Sequence, residues 1–325
     1  MMGNTISCFK KTTTSTRDIY GRKMRIKTAG KDSNGTFILG YNCLTHSNVI
    51  IQKIYHSWAN PEAARSEIMK ETSVLMKLRH ENIARLLHVE MGDMSLGLVY
   101  EHDDHCFFME KRKIPVRDPH KIKTHLHQIL SALAHCHSLN VLHRDLRPNH
   151  LLMDSKGNVK LAGFGWAVLE ADKSATIMSG TLPVDPLPRN APEYRPPEYF
   201  LTLEEWSEAS DVWSVGCIFA EMVTQEPLFV NADGSLGYPG AQAHKILQVV
   251  GPPEEDQLLP GYTEMCRYPL SRPQYRRMDF AKMFPGLEES GIDLLSQMLR
   301  VEPSRRIKAK DALGHEYFHD LDKPK

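Results

Sequence analysis

Apolar and polar positions alternate with a period of two over residues 22 to 57. Met24 and Ile26, then Thr36-Phe37-Ile38-Leu39, then Val49-Ile50-Ile51 predict three strands, with turns at Gly30 to Gly35 and His46 to Asn48. The period then lengthens. Over residues 61 to 80, Ile68, Thr72, Leu75 and Leu78 fall near one face of a helix, which Pro61 opens and Glu62 suits in its first turn. Leu96 to Tyr100 reads as a further strand. Residues 117 to 139 read as a long helix with Ile122, Leu126, Ile129, Leu130 and Leu133 along it. The histidines of that helix, 125, 127, 135 and 137, fall on different faces with no carboxylate set, so they read as packing and not as metal ligands. Leu151-Leu152-Met153 predicts a short strand, Asp154 to Asn158 a turn, and Val159 to Ala162 the return strand. Leu294, Leu295, Met298 and Leu299 mark the core face of a late helix. Strands crowd the first third and helices the rest, an α+β pattern. Residues 1 to 21 are rich in Thr, Ser and basic residues and read as a flexible tail, as do residues 321 to 325.

Composition narrows this picture little. The chain of 325 residues is 41% hydrophobic and 25% charged, ordinary for a globular protein. Lys plus Arg and Asp plus Glu are 40 each, so no basic footprint for nucleic acid exists. Six cysteines at 8, 43, 106, 136, 217 and 266 show no paired spacing, which suits a reducing compartment, cytoplasm or nucleus. No run is long and apolar enough to span a membrane. If translation begins at Met2, the stretch M-G-N-T-I-S fits an acylation pattern with Gly3 as acceptor, Cys8 as a second acyl site and Lys10-Lys11 facing anionic lipid. The alternative is an unmodified tail.

The stretch that organises the chain is VLHRDLRPNHLLMDSKGNVKLAGFGWAV, residues 141 to 168. It resembles the catalytic loop and magnesium loop of protein kinases, whose patterns are H-R-D-L-x-x-x-x-N and D-F-G. In that family the Asp accepts the proton of the substrate hydroxyl, the Asn holds one metal ion, and the D-F-G Asp holds another against the phosphates. Here Asp145 is present and Arg147 stands where Lys is common. His150 occupies the Asn position, Asn149 is one residue early, and Gly163-Phe164-Gly165 replaces D-F-G. Magnesium wants oxygen ligands, and imidazole and glycine offer none.

Other stretches extend the resemblance over residues 22 to 320. Gly30 to Phe37 is similar to the glycine-rich phosphate loop, with Gly30 and Gly35 kept and Asp32 in place of the middle glycine. The strand that should carry the phosphate-pairing lysine offers Gln52 and Lys53. Strand alternation lets only one of them face the cleft, and counting from Gly35 favours Gln52. The helix over residues 61 to 80 resembles the C-helix of cyclin-dependent kinases, with Glu71 as the ion-pair partner of the strand lysine. Tyr100 falls at the gatekeeper, and Glu101, His102 and Asp103 at the adenine-binding hinge. Tyr194 to Glu198 resembles Y-R-A-P-E, and Glu198 is implied to pair with Arg306. Asp211 would hold the H-R-D backbone. Residues 183 to 197 hold six prolines, and the phosphate-reading cluster of the family falls on Lys70, Arg144 and Val168, one cation short.

The resemblance implies a bilobal α+β fold of the cyclin-dependent-like (CMGC) branch. A five-stranded N-lobe with one C-helix (22 to 101), a hinge (102 to 105) and a helical C-lobe (106 to 320) are expected. It implies two functions. The departures point to a pseudokinase that needs no cofactor and acts as a scaffold or allosteric regulator, with another kinase or an atypical cyclin-like protein as partner. The alternative is an active serine/threonine kinase using ATP and magnesium, with catalytic residues Asp145 and Arg147 and a nucleotide site at Gly30, Gly35, Gln52, Lys53, Glu71, Glu101 and Asp103. A cleft that binds a small molecule without transfer is a third reading.

Overall fold

The computed structural model describes residues 9–19, 22–32, 35–42, 47–55, 75–92, 95–101, 107–108, 117–164, 167–169, 191–201, 206–230, 239–252 and 275–321. Two compact units divide the chain: Met1–Phe107 with Leu152–Asn190, and Phe108–Leu151 with Ala191–Lys325.

The first unit is built on an antiparallel sheet. Its strands are β1 (Phe9–Ile19), β2 (Arg22–Asp32), β3 (Gly35–Asn42), β4 (Ser47–Tyr55), β5 (Leu86–Gly92) and β6 (Ser95–Glu101), in the order β1-β2-β3-β4-β6-β5. Five strands were expected and six are present. The extra one is β1, which the sequence suggested was a flexible tail. It has no apolar alternation, but its β-branched run Thr12-Thr13-Thr14 suits a strand at the edge of a sheet. It pairs with β2 from Phe9↔Gly30 to Ile19↔Arg22. The middle strand β4 is apolar on both faces because both are covered. Val49 and Ile51 pack with Val99, flanked by Ile38 and Leu87, on one face. Ile50 and Gln52 point to the other, opposite Tyr100 and Leu98 of β6.

The segment 152–190 returns to this unit, which a division of the chain at the hinge does not anticipate. The cause is backbone pairing. Ile83 bridges Leu161 in parallel, Leu161 N–H donates to Asn82 O (2.7 Å), and Ala84 N–H donates to Leu161 O (2.8 Å). Asn82 adds a side-chain bond from Nδ2 to Val159 O (2.9 Å).

The second unit is helical. Helix α1 (Pro119–Ser138) starts where Asp118 caps His120 N–H and Pro119 takes the first turn. Helix α2 (Glu208–Thr224) opens with a reciprocal Ser207/Ser210 cap and ends at Gln225 in left-handed backbone. It is apolar all round and buried all round. Helices α3 (Pro239–Val250) and α4 (Glu289–Met298) complete the frame. Leu294, Leu295 and Met298 are buried as their spacing predicted. At Gly216 of α2 a Cβ would lie 2.9 Å from the Leu299 side chain and 3.1 Å from Met298 Cβ, so a larger residue would force these neighbours to shift. Cys136 of α1 and Cys217 of α2 are free thiols in the core, and burial pushes both thiol pKa values up.

Two polar knots tie the unit together. Lys123 of α1 bonds Glu288 (2.8 Å) and Asp320 (2.7 Å) and lies over the Tyr317 ring. The pair expected between Glu198 and Arg306 is made and is bidentate, at 2.9 and 3.0 Å.

Candidate functional site

The loop His143-Arg144-Asp145 is held from behind by one carboxylate. Asp211 is fully buried at the start of α2. Its oxygens accept from His143 N–H (2.8 Å), Arg144 N–H (2.9 Å), Trp206 Nε1–H (2.9 Å) and His137 Nε2 (3.1 Å). Burial alone would raise the pKa of Asp211. The His137 bond, the charges of His137 and His143 and the backbone donors outweigh it, and the carboxyl sits below its ordinary value. With both amides pinned, Arg144 takes a left-handed φ of 68°. The sequence pointed to Asp211 as the holder of this backbone. It carried no signal for His137 and Trp206, which join only through folding.

Asp145 is buried, and so are Leu146, Arg147 and His150. Arg147 Nε lies 3.5 Å from Asp145 Oδ2, and His150 Nδ1 lies 3.4 Å from the same oxygen. Two shorter contacts fix the ring of His150. Its Nδ1 meets Asp145 O at 2.6 Å, and its Nε2 meets Arg147 Nη2 at 3.2 Å. A carbonyl only accepts and a guanidinium only donates. The ring therefore carries its proton on Nδ1 and is neutral, with its Nε2 lone pair turned to Arg147. The electrostatics agree: burial, then the charges of Arg147 and His143, hold its pKa well below the ordinary 6.5, against the pull of the Asp145 carbonyl. Both ring nitrogens are thus committed inside the protein.

In the sheet unit, Gln52 is 0% exposed, and by register it shares a face with Ile50, Leu98 and Tyr100. The Tyr100 phenol on that face is buried, which raises its pKa far above normal, while the Phe164 backbone pulls weakly the other way. Gln52 thus lies on the buried face of β4, and counting from Gly35 favours it over Lys53 for the lysine position. Neither end of the Gln52 amide has a hydrogen-bond partner. Such a group costs about 1 to 3 kcal/mol. Gln52→Met, close in volume, is accordingly expected to stabilise the protein by about 1 kcal/mol or more. Urea denaturation checks this, and a destabilised variant would show that the amide is needed.

Gly163 is buried with φ 80°, a backbone that residues with a Cβ enter only at a cost. Gly30 lies inside β2 opposite Phe37, and Gly35 opens β3 opposite Asp32. Glu101 ends β6 and pairs with Lys160 at 3.2 Å. Asp154 caps its own turn. It accepts from Lys156 N–H (2.9 Å), Asn158 N–H (2.8 Å) and Asn158 Nδ2 (3.2 Å), so its carboxylate is spent there. Glu71, Asp103, Lys70, Gly3 and Cys8 lie outside the described residues. Among the described residues no three His, Cys, Asp or Glu side chains cluster as a metal site, and no helix is long and apolar enough to cross a membrane.

The family model "protein kinase domain" matches residues 24–318. The chain belongs to the protein kinase domain family. Its α+β fold is that of a protein kinase. In this kinase domain the sheet unit carries Gln52 at the position implied for the phosphate-pairing lysine. The loop keeps Asp145, while His150 and Gly163 hold the two positions implied for metal ligands.

Proposed function

We propose that this kinase domain, of the cyclin-dependent-like branch, is a pseudokinase that acts by binding protein partners as a scaffold or allosteric regulator in signalling. One observation carries the reading: the two metal positions are held by a glycine with no side chain and by a histidine with both ring nitrogens committed. Magnesium takes oxygen ligands in octahedral geometry, and this donor set does not fit it. Asp154, the nearest carboxylate in sequence to replace them, is consumed by its turn. The uncharged Gln52, whose amide has no hydrogen-bond partner among the described residues, adds to this.

Thermal-shift titration with ATP tests the reading. The expected result is the same small or zero shift with and without magnesium. A ligand that binds at 100 times its dissociation constant stabilises by about 2.7 kcal/mol, so a magnesium-dependent gain of that size overturns it.

An active serine/threonine kinase is the second reading, favoured by the presence of Asp145 in a firmly held loop. Gly163→Asp alone is expected to leave transfer undetectable, because the new residue meets a left-handed φ and His150 and Gln52 stay. The triple change Gly163→Asp, His150→Asn and Gln52→Lys is the least expected to give measurable transfer. Strong activity in the single variant favours the second reading.

For partners, the C-helix position carries Glu67 where cyclin-dependent kinases place an uncharged residue. A charge buried unpaired in an interface costs several kcal/mol. This favours another kinase or an atypical cyclin-like protein over an ordinary cell-cycle cyclin, in cytoplasm or nucleus.

A further inference from the structure

We propose that Asp145, Arg147 and His150 form an acid-labile clasp, which holds the loop shut while His150 is neutral and lets it open when the ring gains a proton. The geometry leaves the ring no room for a second proton. Its Nδ1–H is spent on the Asp145 carbonyl at 2.6 Å, and its Nε2 lone pair receives Arg147 Nη2 at 3.2 Å. A proton on Nε2 would set donor against donor and place two cations within that distance. Among the described residues, the charged and titratable groups against the ring are Arg147, Asp145 and His143, whose ring centre is 6.1 Å away. One carboxylate, 3.5 Å from Arg147 and 3.4 Å from His150, would then face two cations.

The sign follows from linkage. The closed loop holds His150 neutral, while an opened loop exposes an imidazole of ordinary pKa, about 6.5. The clasp has its full stability above that value and weakens as pH falls through it, by up to about tenfold in the opening equilibrium per pH unit. The opening exposes Asp145 and Arg147 together, whether or not the domain transfers phosphate. An asparagine at position 150 would hold the same carbonyl without this response, because an amide does not titrate.

Amide hydrogen exchange on the full chain reads the clasp directly. Peptides covering residues 143 to 151 are followed at pH 7.5, 6.0 and 5.0, with rates corrected for the intrinsic pH dependence of exchange. The opening equilibrium is expected to rise about tenfold between pH 6.0 and 5.0, while peptides from the centre of α1 stay unchanged. In His150→Asn that rise should vanish. In Arg147→Gln one cation is gone and the amide oxygen can accept from a protonated Nε2, so the closed loop tolerates the second proton and the rise should shrink. A flat wild-type profile, or the same rise in His150→Asn, overturns the proposal. Should His150→Asn fail to fold by circular dichroism, an undiminished rise in Arg147→Gln overturns it instead.

Discussion

Asp211→Ala is expected to cost about 4 kcal/mol or more and to release the loop at His143-Arg144-Asp145. The carboxylate receives two backbone N–H groups, an indole N–H and an imidazole nitrogen, all in a fully buried site. Alanine leaves those donors without water or protein to replace it, and each orphaned buried donor costs about 1 to 3 kcal/mol. The loss is not confined to energy. The left-handed backbone at Arg144 is imposed by the two pinned amides, and without them it relaxes to ordinary φ. Urea denaturation gives the stability, and exchange at residues 143 to 146 gives the loop. A change below about 1 kcal/mol would mean the donors find other partners, contrary to this account. The same carboxylate adds an acid limit. Its pKa is depressed in the fold, so its stabilisation is complete above the ordinary 3.8 and is lost as pH falls through the lower folded value.

Arg306→Met is expected to cost about 3 to 5 kcal/mol, because it removes the guanidinium that pairs with the buried Glu198 carboxylate. The guanidinium does more than pair with that carboxylate. It donates to the carbonyls of Ala209 (2.7 Å), Arg300 (3.0 Å) and Val301 (3.2 Å) and lies 5.0 Å from the centre of the Trp213 ring. It thereby joins the start of α2 and the segment just after α4 to Glu198. Ser210 also donates to Glu198, at 2.9 Å. A double variant, Arg306→Met with Glu198→Met, removes both charges together. It is expected to be more stable than Arg306→Met alone, with a coupling of about 1 kcal/mol or more. Strict additivity of the two single changes would show that the pair contributes no interaction of its own.

The helical unit was legible because its signals are local and redundant. Residues 294 to 299 repeat at helical spacing, and Glu198, Asp211 and Arg306 sit in stretches that resemble a known pattern. The burial of Gln52 follows from the alternation of faces along β4. The sixth strand was missed because Phe9–Ile19 is polar at nearly every position, and an edge strand next to β2 needs no apolar stripe. The loop was legible in its residues and not in its contacts. That His150 departs from the pattern is plain from the letters. That its ring takes the Asp145 carbonyl and receives Arg147 depends on the turn Pro148–His150 folding the chain back on itself. His137 lies 74 positions from Asp211, and no spacing rule connects them.

Cys136 and Cys217 turn the helical unit into its own recorder. Both thiols are sealed in the core, on the two helices that form its centre, and burial keeps them protonated. An alkylating reagent reaches them only through an opening of α1 or α2, so each modified sulfur marks one escape from the native state. Peptide mass spectrometry separates the two sites without mutation or added label. Equal labelling rates at both positions would report concerted opening of the unit, and unequal rates would rank the two helices by how often each lets go.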